Sequence, residues 1–408
     1  MLQPTTHNLQ PDGGIYLDYA ATTPVSKKVM ARMRPYFSDI FGNPSSLHLY
    51  GQKAQGVLDE ARHNVADILN CSWKEIIFTP SATISINIAL RGIVKASLVG
   101  SDPTNEPHIL TTNIEHSAVL NTCEDLEREG VEVTYLSVDK EGLITPKQIK
   151  DAIKKNTVLV SVGYVNSEIG TVQPIKEIAK VIRSYNLQPT HSHRQRSVAG
   201  ATTYNLVFHS DAVQAANYLD INVKNLGVDL MTLSAHKIYG PKGAALLYKK
   251  ESVDLAPIIT GGEQERGYMA GTENIPAILG FGEAMKETQE LKETEAKRLA
   301  ELQDYLIKNI KKIKNIGLNG SETQRIYNNV NIYFENKLAE VLIPLFDSEG
   351  IFVSGGSACT SRTPEPSHVI IAIGREKYAK SSISVTMGRS TCKKDIDKII
   401  AVIKKLAK

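Results

Sequence analysis

The stretch Asp229-Leu230-Met231-Thr232-Leu233-Ser234-Ala235-His236-Lys237-Ile238-Tyr239-Gly240-Pro241-Lys242-Gly243 begins as an apolar strand and ends in a polar, glycine-rich turn. A lysine just past a strand end, preceded by Ser and His and followed by Gly-Pro-Lys-Gly, is an unusual arrangement. At the carboxyl edge of a parallel sheet such a lysine stands over a ligand crevice. Partial desolvation there lowers its pKa and makes it a Schiff-base nucleophile. In isolation Lys237 would read as a surface charge. The reading therefore depends on whether the flanking chain builds that sheet.

The flanking chain alternates short apolar runs with amphipathic stretches. Residues 76–78, 108–112, 131–135, 158–162 and 206–210 read as strands before residues 229–233, and 244–248 closes the series. Helical patterns lie between them at 85–95, 118–129, 146–154 and 174–185. This predicts an α/β fold with a mostly parallel, seven-stranded sheet sandwiched by helices. Beyond it, 278–313 reads as a long charged helix, 329–334 as a strand, and 339–347 and 393–406 as helices. The expected organisation is a large domain over 31–275 and a small α+β domain from 1–30 and 276–408.

Composition narrows the function classes. The chain has 408 residues, 42% hydrophobic and 22% charged, with 47 Lys plus Arg against 44 Asp plus Glu. A net charge of +3 argues against a dedicated nucleic-acid or membrane-surface binder. No apolar run reaches the roughly 18 residues of a membrane span, and no secretory signal opens the chain. The four cysteines suit a reducing cytoplasm, and Cys71, Cys123 and Cys392 read as small buried apolar residues. His191-x-His193, near Arg194 and Arg196, lacks a third metal ligand and reads as a solvated loop, so no metal is expected.

Other strand ends supply the partners that Lys237 needs. His209-Ser210-Asp211-Ala212-Val213-Gln214 ends a strand on an acid, which suits a protonated pyridine nitrogen. Thr79-Pro80-Ser81-Ala82-Thr83 joins a strand to a helix through small hydroxylated residues, as a phosphate at a helix N-terminus requires. Glu115-His116-Ser117-Ala118 places an imidazole at another strand-to-helix junction. Lysine, acid, phosphate cradle and a stackable imidazole are together the parts of a pyridoxal-phosphate site.

The motifs, in order, resemble the cysteine desulfurases, the NifS/IscS-like branch of the class V, fold-type I pyridoxal-phosphate enzymes. They run from Tyr16-Leu17-Asp18-Tyr19-Ala20-Ala21-Thr22-Thr23-Pro24 through Phe41-Gly42-Asn43-Pro44-Ser45-Ser46 and Asn166-Ser167-Glu168-Ile169-Gly170-Thr171. Gln264-Glu265-Arg266-Gly267, Ala270-Gly271-Thr272-Glu273-Asn274, Ser357-Ala358-Cys359-Thr360-Ser361 and Met387-Gly388-Arg389-Ser390-Thr391 follow. The resemblance implies that Lys237 holds pyridoxal 5'-phosphate, Asp211 pairs with its ring nitrogen, Gln214 meets its phenolic oxygen and His116 stacks on the ring. Ser81, Ala82, Thr83, Ser234 and His236 would bind the phosphate, with Thr272 reaching the neighbouring subunit's cofactor in a homodimer. Cys359 would take sulfur from L-cysteine as a persulfide for an iron–sulfur scaffold or tRNA-thiolation protein. Asn43 would help to hold the substrate carboxylate.

Several positions depart from that pattern. Ser384 stands where the family has an arginine that pairs with the substrate carboxylate, and a serine cannot replace that charge. Ser167, Met269 and Ile84 replace an asparagine, an arginine and a glutamate, Pro80-Ser81 replaces the usual Ser-Gly, and the 188–204 connection is long. The expectation is a working desulfurase whose substrate anchor is re-routed, through Arg389 or Arg266. The alternatives are a paralogue with another amine substrate or weak desulfurase activity, and a selenocysteine lyase.

Overall fold

The computed structural model describes residues 13–99, 106–188, 205–356 and 366–408. Its strands in chain order are β1 (Ile15–Tyr16), β2 (Ile76–Thr79), β3 (His108–Thr112), β4 (Glu132–Leu136), β5 (Thr157–Ser161) and β6 (Val207–Asp211). β7 (Leu230–Ser234), β8 (Ala245–Lys249), β9 (Ile316–Asn319), β10 (Asn329–Phe334), β11 (Ile351–Phe352) and β12 (Ser382–Thr386) follow. The helices are α1 (Lys27–Met33), α2 (Leu49–Leu69), α3 (Ala82–Leu98), α4 (Ser117–Arg128), α5 (Pro146–Ala152) and α6 (Ile175–Asn186). They continue as α7 (Val223–Leu226), α8 (Ile275–Ile310), α9 (Ala339–Ser348), α10 (His368–Ala372) and α11 (Lys393–Leu406).

β2 to β8 form a seven-stranded sheet in the order β2-β8-β7-β6-β5-β3-β4, and only β8 runs against the rest. Its strands are apolar on both faces, and alternation along each strand divides them between two cores. Ile76, Phe78, Leu110, Val160, Phe208, Met231 and Leu246 join one cluster. Their neighbours Ile77, Ile109, Leu159, Val207, Leu230 and Leu247 join the other. β10 pairs antiparallel with β9 and β12, and β1 pairs parallel with β11.

The expected elements are present, with boundaries set by capping residues. α3 starts at Ala82, ahead of the expected 85, because Ser81 Oγ accepts the Ile84 N–H at 3.3 Å. That shift places Ala82 and Thr83 in the first turn. α8 starts at Ile275 because Asn274 caps it. Among the thiols, Cys123 is buried and Cys71 half-buried, but Cys392 is exposed. The burial expected for Cys392 fails because it takes the N-cap of α11, where Asp395 accepts its backbone N–H at 2.8 Å. No helix among the described residues is long and apolar enough to cross a membrane.

α8 carries the sheet's helical cover on one half and meets β9 and β10 on the other. Phe281, fully buried in its first half, meets Phe78 of β2 edge-on at a centroid distance of 6.5 Å. Phe281→Ala should lower stability by about 3–5 kcal/mol in urea denaturation, since the cavity opens between two rigid layers.

Candidate active site

A cavity of about 670 Å³ opens at the carboxyl ends of β2, β3, β5, β6 and β7. The volume lies within the ~300–1,000 Å³ of small-molecule sites. β3 and β5 are adjacent, yet the chain leaves them toward opposite edges of the sheet, so the turns after them part and form a crevice. Glu115, His116, Gly163, Asn166, Ser167 and Glu168 occupy those turns and line the cavity.

Lys237 enters from the short turn after β7. Asn217 Nδ2 donates to its carbonyl at 2.6 Å and steadies that turn. Its Nζ donates to the carbonyls of Ala20 at 2.5 Å and Ala21 at 2.8 Å. Gln214 Nε2 donates to the Ala20 carbonyl as well, at 3.0 Å. Thr23 fastens the same segment from the other side. Its N–H and hydroxyl both donate to the His236 carbonyl at 2.9 Å, while its Oγ1 accepts from the Tyr239 N–H at 2.8 Å. The Ala20-Ala21-Thr22-Thr23 motif thus acts through its backbone and holds lysine and glutamine in place.

At the head of α3, Ser81 satisfies the Ile84 and Ser85 N–H groups. Among the described residues the amides of Ala82 and Thr83 have no acceptor, and both residues line the cavity. Two free amides at a helix N-terminus suit an anion. His236 lines the cavity too. Burial, with Lys237 and Lys242 nearby, pushes its pKa down to about 4 and keeps it neutral. A neutral imidazole whose Nδ1 lies 3.2 Å from Thr22 Oγ1 can donate from Nε2 to a phosphate.

Opposite this cradle the site is acidic. Burial raises the Asp211 carboxyl above its usual range, while His116 and Lys237 pull it back. Its Oδ1 accepts the Val213 N–H at 3.0 Å. Glu115 is buried and pushed up to about 7 by desolvation, against donation from Thr112 Oγ1 at 2.7 Å and the Gly163 N–H at 2.9 Å. Position 163 excludes a side chain, because a Cβ would come 2.9 Å from Glu115 Oε2. Burial also raises Glu168, whose Oε2 accepts from Ser367 at 2.5 Å. His116 caps α4, with Nδ1 accepting the Ala118 N–H at 3.0 Å. A backbone N–H can only donate, so the neutral ring carries its proton on Nε2.

Of the residues expected at the site, Ser81, Ala82, Thr83, His116, Asp211, Gln214, His236 and Lys237 line one cavity. Ser234 closes β7, buried, and does not reach the lining. Asn43 and Thr272 are exposed outside it, and Asn43 Oδ1 accepts from the Ser45 N–H at 2.9 Å. Cys359, His191, His193, Arg194 and Arg196 lie outside the described residues. Arg389 as a substrate anchor is corrected. It pairs with Glu287 at 2.6 Å and lies 3.9 Å over the Tyr239 ring, away from the cavity. Arg266 is likewise spent on the Ile76 carbonyl at 2.6 Å. Ser384 does line the cavity, where it meets the Glu168 carbonyl at 3.4 Å, and no arginine lines it among the described residues. Glu115 and His368, whose Nε2 meets the Glu115 carbonyl at 3.0 Å, were not expected as site residues. Adjacency to His116 was the available signal for Glu115, and the sequence offered none for His368.

Comparison with known proteins identifies the family. Residues 15–188 and 194–399 match the class-V aminotransferases, with the break inside the long 188–204 connection. A cysteine desulfurase IscS from Dictyoglomus turgidum is 40% identical over 394 residues, 96% of this chain and 94% of its own. A solved NifS-like protein superposes with a TM-score of 0.86 at 29% identity, covering 96% of this chain and 99% of that one. SspA, solved in complex with cysteine, gives a TM-score of 0.77 at 36% identity over 91% of this chain and 98% of its own. The chain belongs to the class-V aminotransferase family, whose cofactor is pyridoxal phosphate. Within that family it is a member of the cysteine desulfurases.

The residues present fit the cofactor. Two amides without an acceptor among the described residues suit its phosphate, and the buried Asp211 carboxyl suits a protonated ring nitrogen.

Glu115 also sets a pH dependence. Below its ordinary pKa of 4.5, folded and unfolded chains both hold its proton. As pH rises toward about 7 the unfolded chain releases that proton and the folded one keeps it, so stability falls across this window and levels off above it. In cofactor-free protein, Glu115→Gln should make the fall in denaturation midpoint over that window shallower. An unchanged slope would contradict the assignment.

Proposed function

We propose that this protein converts L-cysteine to L-alanine and passes the sulfur to Cys359 as a persulfide. The observation that carries this reading is the convergence of Lys237, Asp211, His116 and the Ala82 and Thr83 amides on one cavity. Gly356 and Pro366, the described residues on either side of the segment containing Cys359, line that cavity as well. Three peptide links separate Cys359 from Gly356, at most about 11 Å of chain.

Pyridoxal phosphate, held by Lys237, supplies an electron sink for the carbon skeleton. The protein's own groups do the rest. Asp211 would pair with the protonated ring nitrogen of the bound cofactor, and Gln214 presents its amide beside Lys237 on the shared Ala20 carbonyl. His116 holds its mobile proton at Nε2, because Nδ1 accepts the helix-cap N–H. Overall the Cβ–S bond of cysteine breaks, sulfur joins the Cys359 thiolate, and the β-carbon takes up a proton to give alanine. The sulfur then leaves to an acceptor protein of iron–sulfur cluster assembly or tRNA thiolation.

The working unit is a homodimer. Phe37, Phe41, Leu47, Leu49 and Tyr50 expose large apolar side chains around Asn43, with Leu47 92% exposed. A soluble monomer rarely leaves such a stretch in water, and a second copy would cover it. In that arrangement Asn43 and the exposed Thr272 act at the partner's cavity.

One observation favours a second reading. With Ser384 in the wall and no arginine lining the cavity among the described residues, the site suits an amine substrate with a weaker carboxylate contact. Mass spectrometry after incubation with cysteine separates the two readings. Sulfur added at Cys359, and lost in Cys359→Ala while Lys237 can still be labelled by borohydride, supports the desulfurase. Equal alanine release by Cys359→Ala would favour the altered substrate. Ser384→Arg should lower the KM for cysteine by about tenfold or more, because a charged pair to the carboxylate contributes ~1.5–3 kcal/mol. An unchanged KM would show that the carboxylate is anchored elsewhere.

A further inference from the structure

Outside the cavity, side chains close the outer edge of β2 where another strand would otherwise lie. β2 ends the seven-stranded sheet, so one row of its backbone groups faces away from β8. There the Phe78 N–H donates to Glu265 Oε2 at 2.9 Å. The Ile76 carbonyl accepts from Arg62 Nη1 at 2.7 Å and Arg266 Nη2 at 2.6 Å. Arg62 of α2 and Glu265 are joined by two parallel bonds of 2.8 and 2.6 Å, with side chains 6% and 2% exposed. A bidentate pair this dry fixes both partners in orientation as well as distance.

Glu265 reaches the edge from an unfavourable backbone. Its φ is 48° and that of Arg266 is 58°, and neither residue is glycine. Two consecutive left-handed residues persist only where their surroundings over-determine them. From this turn Gln264 Oε1 accepts the Gly271 N–H at 3.1 Å, which closes a loop whose next residue is Thr272. On the other side, β2 passes from Phe78 through Thr79 and Pro80 to Ser81, Ala82 and Thr83. One buried ion pair therefore fixes the strand leading to the free amides and the turn leading to Thr272.

We propose that Arg62 and Glu265 are positioning residues for the cofactor phosphate in both sites of a dimer. The pair sets the subunit's own amides at Ala82 and Thr83, and it sets the segment lent to the partner. This rests on the homodimer reading above, in which Thr272 crosses to the neighbouring cavity.

The test uses cofactor-free protein titrated with pyridoxal phosphate, read by visible absorbance, with light scattering for mass and thermal melting for stability. Glu265→Gln keeps the side chain's shape and removes its charge. It should stay dimeric and bind pyridoxal phosphate about tenfold more weakly well below its melting temperature. Mixed dimers with Lys237→Ala separate the two effects, since only the chain that keeps Lys237 gives the covalent absorbance. Affinity should fall when Glu265→Gln is on the chain with Lys237, through its own amides. It should also fall when Glu265→Gln is on the other chain, through the lent segment. A lower melting temperature with unchanged affinity in the folded dimer would overturn the proposal and leave the pair a structural staple. Weakening in only one arrangement would overturn the half that failed. A monomeric wild type would overturn the dimer reading, and the lent half with it.

Discussion

The ammonium of Lys237 against the carbonyls of Ala20 and Ala21 is the contact around which the site is arranged. An amine in a half-buried turn needs acceptors, and the first segment of the chain supplies them from its backbone. That requirement draws residues 18–24 across the end of the large sheet. Once there, the same carbonyl of Ala20 holds Gln214, and Thr23 clasps the turn on both sides of Lys237. The segment continues into α1, which packs on α8, so the position of the lysine is tied to the longest helix of the fold.

The acids impose a second constraint. Asp211, Glu115 and Glu168 all have carboxyls pushed up by burial, and among the described residues none forms an ion pair with an arginine or lysine. Burying them unpaired costs stability. Strain of this kind concentrates at functional sites, where a ligand can supply the missing charge. Asp211 sits at the end of β6, in line for the one cationic group a pyridine ring offers. Glu115 works on the protein itself, fixing Gly163 after β5 and standing beneath His116 in the chain. The contrast with the Arg62–Glu265 pair is instructive. There the acid's charge is met within the protein, and the result is a rigid sheet edge and no binding site.

Much of this was legible in the residues. Parallel strands buried on both faces read as short apolar runs, and the helices between them as amphipathic periods, so the sheet at residues 76–248 could be drawn before it was seen. Lys237, Asp211, His116 and Thr83 could be named because strand ends in such a sheet share one edge. Boundaries were less legible. Ser81 moved the start of α3 by three residues, and with it two amides came to face the cavity. Arg389 could not be judged from its neighbours in sequence, because Glu287 and Tyr239, which occupy it, lie about a hundred or more residues away along the chain. Cys392 misled for a local reason, since a helix cap outweighed the usual preference of a thiol for the interior.

The sequence by itself determined the sheet, the order of its strands along the chain, and which residue types stand at their carboxyl ends. Those properties follow from local periodicity and from the one-way geometry of strand–helix–strand connections. Only the tertiary structure decided which polar groups were already paired. Among the described residues it left the amides of Ala82 and Thr83 without acceptors, bound Arg389 and Arg266 elsewhere, and placed Ser384 in a wall that no arginine lines. The reason is that a hydrogen bond or ion pair depends on distances of about 3 Å between atoms that can be hundreds of residues apart. Spacing along a chain carries no record of them.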